Sequence, residues 1–446
     1  IPIFLSISAD ELAEGGNTLE DTLEIVEYFK EYVDVFSVSA GLTCSIQYQY
    51  DADYLPDGWK SYMSKALKEA TGKPCLTSGN IREPEVANRI LEDGEADFIA
   101  IGRGLIADPE WVNKVQFGNT ADINRCISCN NGCTATLGDE PIRCTINPSI
   151  VSGEYYKNYK LKKPCNVVVI GGGTAGLEAA CTAAEVGCST VLIEKTGQLG
   201  GLARRVGKMP NKRRLGYFPD YLEHRASKLK NLFVIKNTEA SIDLVEGCKP
   251  DIVVNATGSY PLLPDIKGLK ENLEAGNVST IFDLVDNVDS YEENLEGKKV
   301  VVIGGGNVGL DVVEFFAPRK SDVTIVEQKS RFGETLDFIT RTGSLAMLNR
   351  YGVHQYPNAS LLEVKEDRFI VRHDYKDIEL EFDYGFICLG MESATPALKE
   401  LYDHFLYEGI EVLNIGDSAQ TRRIIEGVKE GRDIILTLER LNFVQK

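Results

Sequence analysis

Two kinds of residue pattern in this sequence could carry chemistry, a group of cysteines and a pair of glycine turns. Four of the 11 cysteines are crowded together as Cys126-x2-Cys129-x3-Cys133-x10-Cys144. Clustered thiolates bind soft metals, and four of them suit a [4Fe–4S] cluster with one thiolate on each iron. Structural zinc is the alternative, although its sites more often carry two Cys-x-x-Cys pairs. The spacing therefore favours iron–sulfur.

The first glycine turn follows the apolar run Val167–Ile170 and precedes a helical pattern. Gly171 would make the tight turn, Gly173 would let the backbone approach a pyrophosphate, and Gly176 would let helix and strand pack closely. Glu194 ends the next predicted strand, 18 residues after Gly176. A carboxylate there accepts hydrogen bonds from a ribose. The strand, glycine turn, helix and spaced acid together predict a dinucleotide-binding fold, whereas three glycines alone would be weak evidence for one.

The same device occurs a second time. The predicted strand Lys299–Ile303 leads into Gly304, Gly306 and Gly309, and Glu327 again follows 18 residues after the last glycine. Glycines that serve only tight packing are the alternative. A chance duplication of strand, turn, helix and spaced acid is improbable, so we predict two dinucleotide sites.

The order of the flanking segments assigns a nucleotide to each turn. Asn255–Gly258 follows one predicted strand, and Gly416 and Asp417 follow another near the C-terminus, so these segments bracket the second turn. This order is similar to that of flavoproteins whose FAD domain is interrupted by an NAD(P) domain. FAD is therefore assigned to the first turn, Glu194 and Asp417, and the nicotinamide nucleotide to the second turn and Glu327.

Glu327 also bears on which nicotinamide nucleotide binds. A carboxylate would repel a 2′-phosphate, which favours NADH. Lys329 and Arg331 lie nearby in the sequence and would soften that repulsion. NADPH is therefore the less favoured alternative.

Residues 1–118 alternate strand and helix patterns four times, which implies parallel strands. The predicted strands are Ile3–Ser8, Val35–Ser39, Pro74–Thr77 and Ala96–Ile101, and the predicted helices are Thr18–Tyr32, Trp59–Ala70, Pro84–Leu91 and Pro109–Val115. Four units are too few to close an eight-fold barrel, which needs about 250 residues. Residues 119–150 read as a loop segment, and Lys157–Lys163 as a linker.

Charge and hydropathy exclude some partners. The net charge of −19 disfavours nucleic acid and anionic membrane surfaces. No apolar stretch is long enough to span a bilayer, and the first residues lack a charged leader, so we expect a cytoplasmic protein. Since Ile1 is not an initiator methionine, we also expect the true start to lie upstream.

Several motifs together resemble one known family. They are Ser8–Glu11, Val38–Gly41, Ile101–Pro109, the cysteine array running into Ile146–Pro148, and both glycine turns in order. The chain is similar to the iron–sulfur flavoenzymes of the old yellow enzyme class, which include 2,4-dienoyl-CoA reductase, trimethylamine dehydrogenase, and enoate, bile-acid and flavonoid reductases. The resemblance covers essentially the whole chain.

The resemblance implies an α/β fold with the C-terminal half of an FMN-binding TIM (β/α)8 barrel, in place of an open four-stranded sheet. The predicted domains are the half-barrel at 1–118, the [4Fe–4S] segment at 119–150, a discontinuous FAD domain at 164–275 and 385–446, and an inserted NAD(P) domain at 276–384. Loops after the last two barrel strands commonly hold a phosphate. By resemblance, Ser78, Gly79, Gly102 and Arg103 form the FMN phosphate site, and a plain surface cation is the alternative for Arg103.

The chain departs from the family at two active-site positions. Ser6 stands where the family usually has an arginine that meets the flavin ring, and Gly41–Cys44 stands where dienoyl-CoA reductases carry a histidine. All four histidines lie beyond the cysteine segment. Tyr48 is a weak candidate for a proton donor, because a phenol can donate, but packing is the commoner role of such a tyrosine. The family's main donor, a tyrosine, belongs to the missing half-barrel.

The order of sites predicts a function. NADH would reduce FAD, the cluster would pass electrons singly to FMN, and FMN would reduce an activated C=C bond of a small unsaturated molecule. An amine-dehydrogenase-like enzyme that runs electrons outward is one alternative. Another is an electron-transfer subunit whose partner supplies the rest of the barrel, and a homo-oligomer is a further arrangement. A fragment of a complete enzyme is the favoured interpretation.

Overall fold

A computed structural model of the chain describes residues 1–152, 155–394 and 398–446. The chain forms two compact units, one of residues 1–151 with 338–343, and one of residues 152–337 with 344–446. In these described ranges, no helix combines the length and apolar character needed to cross a bilayer. The finer division into four domains stays a prediction.

The first unit is built on a four-stranded parallel sheet whose strands follow one another in chain order. The strands are Phe4–Ser8, Val35–Ser39, Cys75–Thr77 and Phe98–Ile99. The fourth strand has two residues, much shorter than the predicted Ala96–Ile101. It pairs only through Phe98 and Ile99 with the third strand, so the chain leaves the sheet early.

Helices lie between these strands in the sequence and also follow the last of them. They are Leu19–Glu27, Ile46–Gln49, Ser61–Thr71, Pro84–Glu92, Arg103–Ala107, Trp111–Gln116 and Ser149–Ser152. Thr18 and Asp21 form a capping box that starts the first helix. That helix ends at Glu27 instead of Tyr32, and a 3₁₀ turn, Lys30–Tyr32, follows. The helix Arg103–Ala107 was not predicted, because Gly102 and Gly104 argue against a helix there.

Apolar side chains between sheet and helices form the core of this unit. Phe36 and Val38 from the second strand pack with Met63 and Leu67 from the helix Ser61–Thr71. These side chains are essentially excluded from solvent. Burial of one such side chain contributes roughly 1.5–3 kcal/mol, so this packing fixes the strand ends that carry the polar residues described below.

The second unit contains two five-stranded parallel sheets. The first has the spatial order Glu411–Asn414, Ile252–Asn255, Asn166–Ile170, Ser189–Ile193, Leu232–Ile235. A strand near the C-terminus therefore joins the sheet that carries the first glycine turn. The central strand is wholly apolar from Val167 to Ile170, as expected for a parallel strand covered on both faces.

The second sheet has the order Val278–Thr280, Tyr384–Ile387, Lys299–Ile303, Asp322–Val326, His354–Tyr356. Its strand Tyr384–Ile387 pairs directly with the strand that leads into the second glycine turn. The predicted boundary between residues 384 and 385 falls inside this strand. The inserted domain would therefore end beyond Ile387.

Smaller elements complete the second unit. An antiparallel sheet is formed by Ala359–Val364, Arg368–His373 and Lys376–Glu381, and short pairs join Ser259–Pro261 to Met391–Ser393 and Lys160–Leu161 to Val444–Gln445. The helices are Thr174–Glu185, Gly201–Val206, Tyr217–Ser227, Ile242–Gly247, Leu269–Glu274, Ile281–Asp286, Asn307–Phe316, Lys399–Tyr407, Ile424–Arg432 and Ile434–Arg440. The helix Phe338–Arg350 belongs to this unit only from Ser344 onwards.

Candidate cofactor sites

The first glycine turn has the steric properties that a dinucleotide requires. Gly171 has φ +104°, and a Cβ there would lie 2.3 Å from the Ala256 carbonyl oxygen. A Cβ at Gly176 would lie 2.0 Å from the Gly171 carbonyl oxygen. At Gly173, by contrast, a Cβ would meet nothing within 4 Å. Two glycines thus permit close packing, and the third leaves the open space that a pyrophosphate would need.

Glu194 is held firmly at the end of the neighbouring strand. One carboxylate oxygen accepts from the Gly172 amide at 2.7 Å, and the other accepts from the amide and hydroxyl of Thr196, each at 2.8 Å. The side chain is buried. These contacts fix the carboxylate beside the glycine turn, where a ribose would lie.

The second glycine turn repeats this geometry. Gly304 has φ +109°, and a Cβ there would lie 2.1 Å from the Cys388 carbonyl oxygen. A Cβ at Gly309 would lie 1.8 Å from the Gly304 carbonyl oxygen, whereas Gly306 faces open space. As in the first turn, the first and third glycines permit close packing, and the second leaves open space for a pyrophosphate.

Glu327 occupies the place that Glu194 has in the first fold. Its carboxylate accepts from the Gly305 amide at 2.6 Å and from the Lys329 amide at 2.7 Å. The Lys329 ammonium pairs with Glu334 at 2.6 Å. A cation that is already paired offers less to a 2′-phosphate, so this arrangement favours NADH.

A cleft of about 1160 Å³ opens at the second glycine turn. Its lining includes Gly304–Val308, Glu327 and Arg331, and it extends to Asp417 and Arg422. All of these residues belong to the second unit. The cleft therefore reaches from the predicted nicotinamide site to a residue assigned to the flavin site.

Asp417 follows the strand that joins the first sheet. Gly416, at φ +65°, places a Cβ position 3.0 Å from the Ala175 Cβ, so this segment lies against the helix that begins at the first glycine turn. The Asp417 carboxylate accepts from the Ser259 hydroxyl at 2.9 Å and from the Arg422 amide at 3.0 Å. The sequence prediction placed Asp417 with the first turn, and the structure brings them together.

The four cysteines of the first unit line one cavity. The other lining residues are Arg103, Ile106, Ile127, Ser128, Asn130, Gly132, Thr145 and Ile146. Burial, together with Cys129 and Cys126, raises the pKa of Cys133 to about 12. Burial and Cys129 also raise the pKa of Cys144. Four half-buried thiolates placed around one cavity would therefore need a compensating cation at neutral pH, which a bound metal supplies.

The kind of metal site is not decided by the positions of these thiols. Throughout the part of the chain that the structure describes, no group of three or more Cys, His, Asp or Glu side chains is arranged to hold a metal ion. Zinc holds four sulfurs at about 2.3 Å from one point, whereas each iron of a four-iron cluster takes one thiolate. The choice between zinc and a cluster therefore rests on the spacing of the four cysteines in the sequence.

A fully buried arginine ties the cysteine loop to the sheet of the first unit. Arg82 donates from Nη1 to the Cys126 carbonyl oxygen at 2.8 Å and from Nη2 to the Ser128 hydroxyl at 2.9 Å. Its Nε lies 3.0 Å from the Asp57 carboxylate and donates to the Asn80 carbonyl oxygen at 3.2 Å. Buried charge survives only when it is paired and hydrogen-bonded, and Arg82 meets both conditions.

Arg103 makes a second link to the same loop. It donates from Nη1 to Asn130 Oδ1 at 2.6 Å and from Nη2 to Asn80 Oδ1 at 2.9 Å. Asp51 lies 3.4 Å from Nη2 and also pairs with the buried Lys60 at 2.9 Å. Arg103 therefore contacts both the loop after the third strand and the loop between the second and third cysteines.

Comparison with known proteins follows the same division of the chain. Residues 2–122 match the family described as "NADH:flavin oxidoreductase / NADH oxidase family". Residues 166–215 match "FAD dependent oxidoreductase", and residues 222–412 match "Pyridine nucleotide-disulphide oxidoreductase". Residues 2–122 are therefore similar to the NADH:flavin oxidoreductase / NADH oxidase family, and the two later ranges are similar to nucleotide-binding oxidoreductase families.

Individual relatives agree with this assignment. An "NADH oxidase" of Thermoanaerobacter brockii is 35% identical over 437 residues, covering 96% of this chain and 65% of that protein. A "Bilirubin reductase" of Mediterraneibacter gnavus is 29% identical over 381 residues, covering 84% and 57%. A structure of a 2-naphthoyl-CoA reductase with 2-naphthoyl-CoA aligns with a TM-score of 0.85 at 25% identity, covering 97% and 64%. The chain thus spans less than two thirds of the length of these relatives.

The family matches confirm the predicted resemblance and the α/β fold, and they support the predicted flavins and nicotinamide nucleotide. The four cysteines lie between the matched ranges, which end at residue 122 and resume at residue 166. The iron–sulfur cluster therefore rests on the cysteines themselves and is taken up as a proposal.

The residues predicted to bind the FMN phosphate occupy adjacent strand ends. Ser78 and Gly79 follow the third strand, and Gly102 follows the fourth and caps the helix that Arg103 begins. A Cβ at Gly102 would meet nothing within 4 Å, which leaves room for a phosphate. Tyr48 packs against the Trp59 ring with centroids 5.9 Å apart, which suits a packing role as well as a catalytic one.

Sequence reasoning missed the polar side chains that connect these loops. Asp51, Lys60, Arg82, Asn130 and Thr145 are all largely buried, and none was predicted as part of a site. One available signal was position, because Arg82 lies five residues after the predicted strand end at Thr77. The pairing of Arg103 with Asn130 had no local signal, since 27 residues separate them.

Proposed function

We propose that this protein is an NADH-dependent flavin and iron–sulfur oxidoreductase that reduces an activated C=C bond of a small unsaturated molecule. One observation carries the proposal, namely that a single cleft extends from the second glycine turn and Glu327 to Asp417. A nicotinamide nucleotide bound at the second glycine turn would be able to place its nicotinamide ring towards Asp417, the residue assigned to the flavin site. Gly304, Gly306 and Gly309 would hold its pyrophosphate, and Glu327 its ribose.

The first fold would bind FAD through its own set of residues. Gly171, Gly173 and Gly176 would admit the pyrophosphate to the helix N-terminus, where the positive end of the dipole favours phosphate. Glu194 would accept hydrogen bonds from the ribose. Asp417, oriented by the Ser259 hydroxyl, would complete the site beside Ala175.

The proposal assigns a [4Fe–4S] cluster to Cys126, Cys129, Cys133 and Cys144. The donor set suits it, because four thiols line one cavity, and Arg82 and Arg103 donate hydrogen bonds to the loop that carries these thiols. Once bound, the flavins and the cluster supply electron transfer from a two-electron donor in single steps. The work of the chain is to place these groups and to exclude water from the thiols.

Ser78, Gly79, Gly102 and Arg103 would hold the phosphate of FMN at the ends of the third and fourth strands. Open space at Gly102 and the cationic guanidinium of Arg103 support this assignment. Arg103 would then contact the phosphate while it keeps its bond to Asn130, since a guanidinium offers five donors.

The proposal includes further barrel strands, supplied by the same protein or by a partner. Phe4 on the first strand and Phe98 on the fourth remain 60% and 48% exposed. In a closed barrel, neighbouring strands pair with both of these edges. The proposed enzyme would work in the cytoplasm, where thiols stay reduced.

Anaerobic titration of the purified protein with NADH tests the nicotinamide and flavin part. Bleaching of the flavin absorbance band is expected at stoichiometric NADH, and Gly306→Val should abolish it by filling the open space at the turn. Gly247→Val serves as the matched control, because it adds the same side chain in open space at the end of the helix Ile242–Gly247, outside both glycine turns. Absence of bleaching in the unaltered protein would contradict the proposal.

A further inference from the structure

Thr145 stands next to one cysteine ligand and touches another. It directly follows Cys144, it is buried, and its hydroxyl oxygen lies 3.1 Å from Cys129 Sγ. In a protonated thiol either atom could donate. A thiolate that binds metal has no proton, so in the loaded site only the Thr145 hydroxyl can donate this bond.

Asn130 presents a second side-chain donor to the same cavity. Its side chain is buried, and its Oδ1 accepts from Arg103 Nη1 at 2.6 Å. Its Nδ2 has no hydrogen-bond partner among the residues that the structure describes. A buried amide donor without a partner costs stability, so the orientation fixed by Arg103 requires an acceptor for Nδ2. Sulfur of the bound cluster is the acceptor that this cavity would offer.

We propose that Thr145 and Asn130 are positioning residues that set the reduction potential of the cluster through side-chain hydrogen bonds to sulfur. The inference rests on the proposed function, since it assumes a cluster at the four cysteines. Reduction adds negative charge that spreads onto the sulfur ligands. Hydrogen-bond donors stabilise this charge more strongly in the reduced form, so each donor raises the potential.

Backbone amides also donate hydrogen bonds to the cysteine sulfurs, but only the side-chain donors can be changed by substitution. The Ser128 amide donates to Cys126 Sγ at 3.4 Å, and the amides of Ile146 and Asn147 reach Cys144. These bonds are fixed by the course of the loop. The bond from Thr145 depends on one hydroxyl group, and a substitution can remove it without moving the backbone.

The test is a potentiometric titration of the purified chain, followed by the electron paramagnetic resonance signal of the reduced cluster. Thr145→Val removes the hydroxyl and keeps the shape. The equilibrium constant for reduction of the cluster should fall about tenfold in this variant, because one hydrogen bond to a charged group is lost. For a one-electron step, a tenfold change corresponds to a reduction potential about 59 mV lower. Thr145→Ser keeps the hydroxyl and should restore the original potential.

Thr71→Val is the matched control, because it removes a buried threonine hydroxyl that bonds only to the backbone of its own helix and the turn after it. It should leave the potential unchanged. An unaltered potential in Thr145→Val, with full iron content and the same spectrum, would overturn the role of Thr145.

Asn130→Asp keeps the acceptor for Arg103, removes the N–H donor and adds negative charge, so it should also lower the potential. It serves as the second measurement should Thr145→Val lose its iron, and an unchanged potential there contradicts the inference. Absence of iron and labile sulfide from the unaltered protein is a different outcome, because it removes the proposed function itself.

Discussion

The nucleotide folds and the cysteine segment are held in shape by different forces. In the two glycine turns, backbone packs on backbone, so that a Cβ at Gly176 or Gly309 would lie within 2.0 Å of a carbonyl oxygen. The cysteine segment has no sheet of its own among its described residues. It is held by charged hydrogen bonds from Arg82 and Arg103, which reach in from the strand ends.

Because these forces differ, we expect substitutions to disrupt the two kinds of site in different ways. A glycine turn is fixed before any nucleotide arrives, because steric packing shapes it. The cysteine loop needs its buried cations and, by our proposal, its metal. Substitutions in one region should therefore leave the other region intact, and the following predictions use this separation.

The largest expected effect is that of Arg82→Met. The substitution removes donors to Cys126 and Ser128 and removes the buried cation that pairs with Asp57. Breaking a buried ion pair on one side costs about 4 kcal/mol. We expect loss of iron from the purified protein, measured by metal analysis, with FAD content unchanged. Loss of FAD together with iron would show that the two regions are not independent.

Glu178→Gln should give a slightly smaller loss, in the second unit. Glu178 is buried, with Arg225 at 2.7 Å and Arg432 at 2.6 Å. Burial alone would raise the pKa of Glu178, but the two arginines outweigh it and hold that pKa below its usual value of 4.5. We expect about 3 kcal/mol of destabilisation at pH 7, measured by urea unfolding followed by flavin release.

The pH dependence of this effect has a definite sign. A carboxyl whose pKa is lowered on folding contributes stability above its unfolded pKa, and loses it as pH falls through the folded value. The difference between Glu178→Gln and the unaltered protein should therefore shrink below about pH 4.5. Glu185→Gln, at the more exposed neighbour, is the control and should cost less. A difference that grows in acid would contradict this account.

Gly176→Ala and Gly173→Ala separate packing from binding within one turn. The first adds a Cβ at 2.0 Å from the Gly171 carbonyl oxygen and should destabilise the unit by about 2–3 kcal/mol. The second adds a Cβ in open space, so the apoprotein should unfold as before while its affinity for FAD falls. Thermal unfolding with and without FAD measures both effects. Equal destabilisation of the two apoproteins would contradict the assigned roles.

The smallest expected effect concerns Glu327→Ala. Loss of hydrogen bonds to the ribose should raise the KM for NADH about tenfold, as for about 1.5 kcal/mol. The KM for NADPH should rise less, because the same change removes repulsion of a 2′-phosphate. Steady-state assays with both nucleotides measure the ratio. A larger rise for NADPH would reverse the predicted preference.

The contrast between backbone packing in the glycine turns and side-chain bonds in the cysteine segment also explains which parts of the sites could be predicted from the sequence. The glycine turns, Glu194 and Glu327 are local patterns whose steric meaning does not depend on distant residues, and each carboxylate accepts a hydrogen bond from an amide of its own turn. The ends of the strands were harder to predict, since the fourth strand is only Phe98–Ile99. The helix Arg103–Ala107 begins after Gly102 and contains Gly104, a residue type with low helix propensity. Arg82 bonds to residues 44 and 46 positions away, and no local pattern announces such a pairing.

The central claim is that the four cysteines hold a cluster that NADH reduces. Its most direct test measures iron and acid-labile sulfide in the anaerobically purified protein and records the electron paramagnetic resonance signal after NADH is added. We predict about four irons and four sulfides for each chain, and a reduced-cluster signal that NADH produces. Zinc in place of iron, or iron without a signal on addition of NADH, would contradict the claim that these four thiols relay electrons from the nucleotide folds.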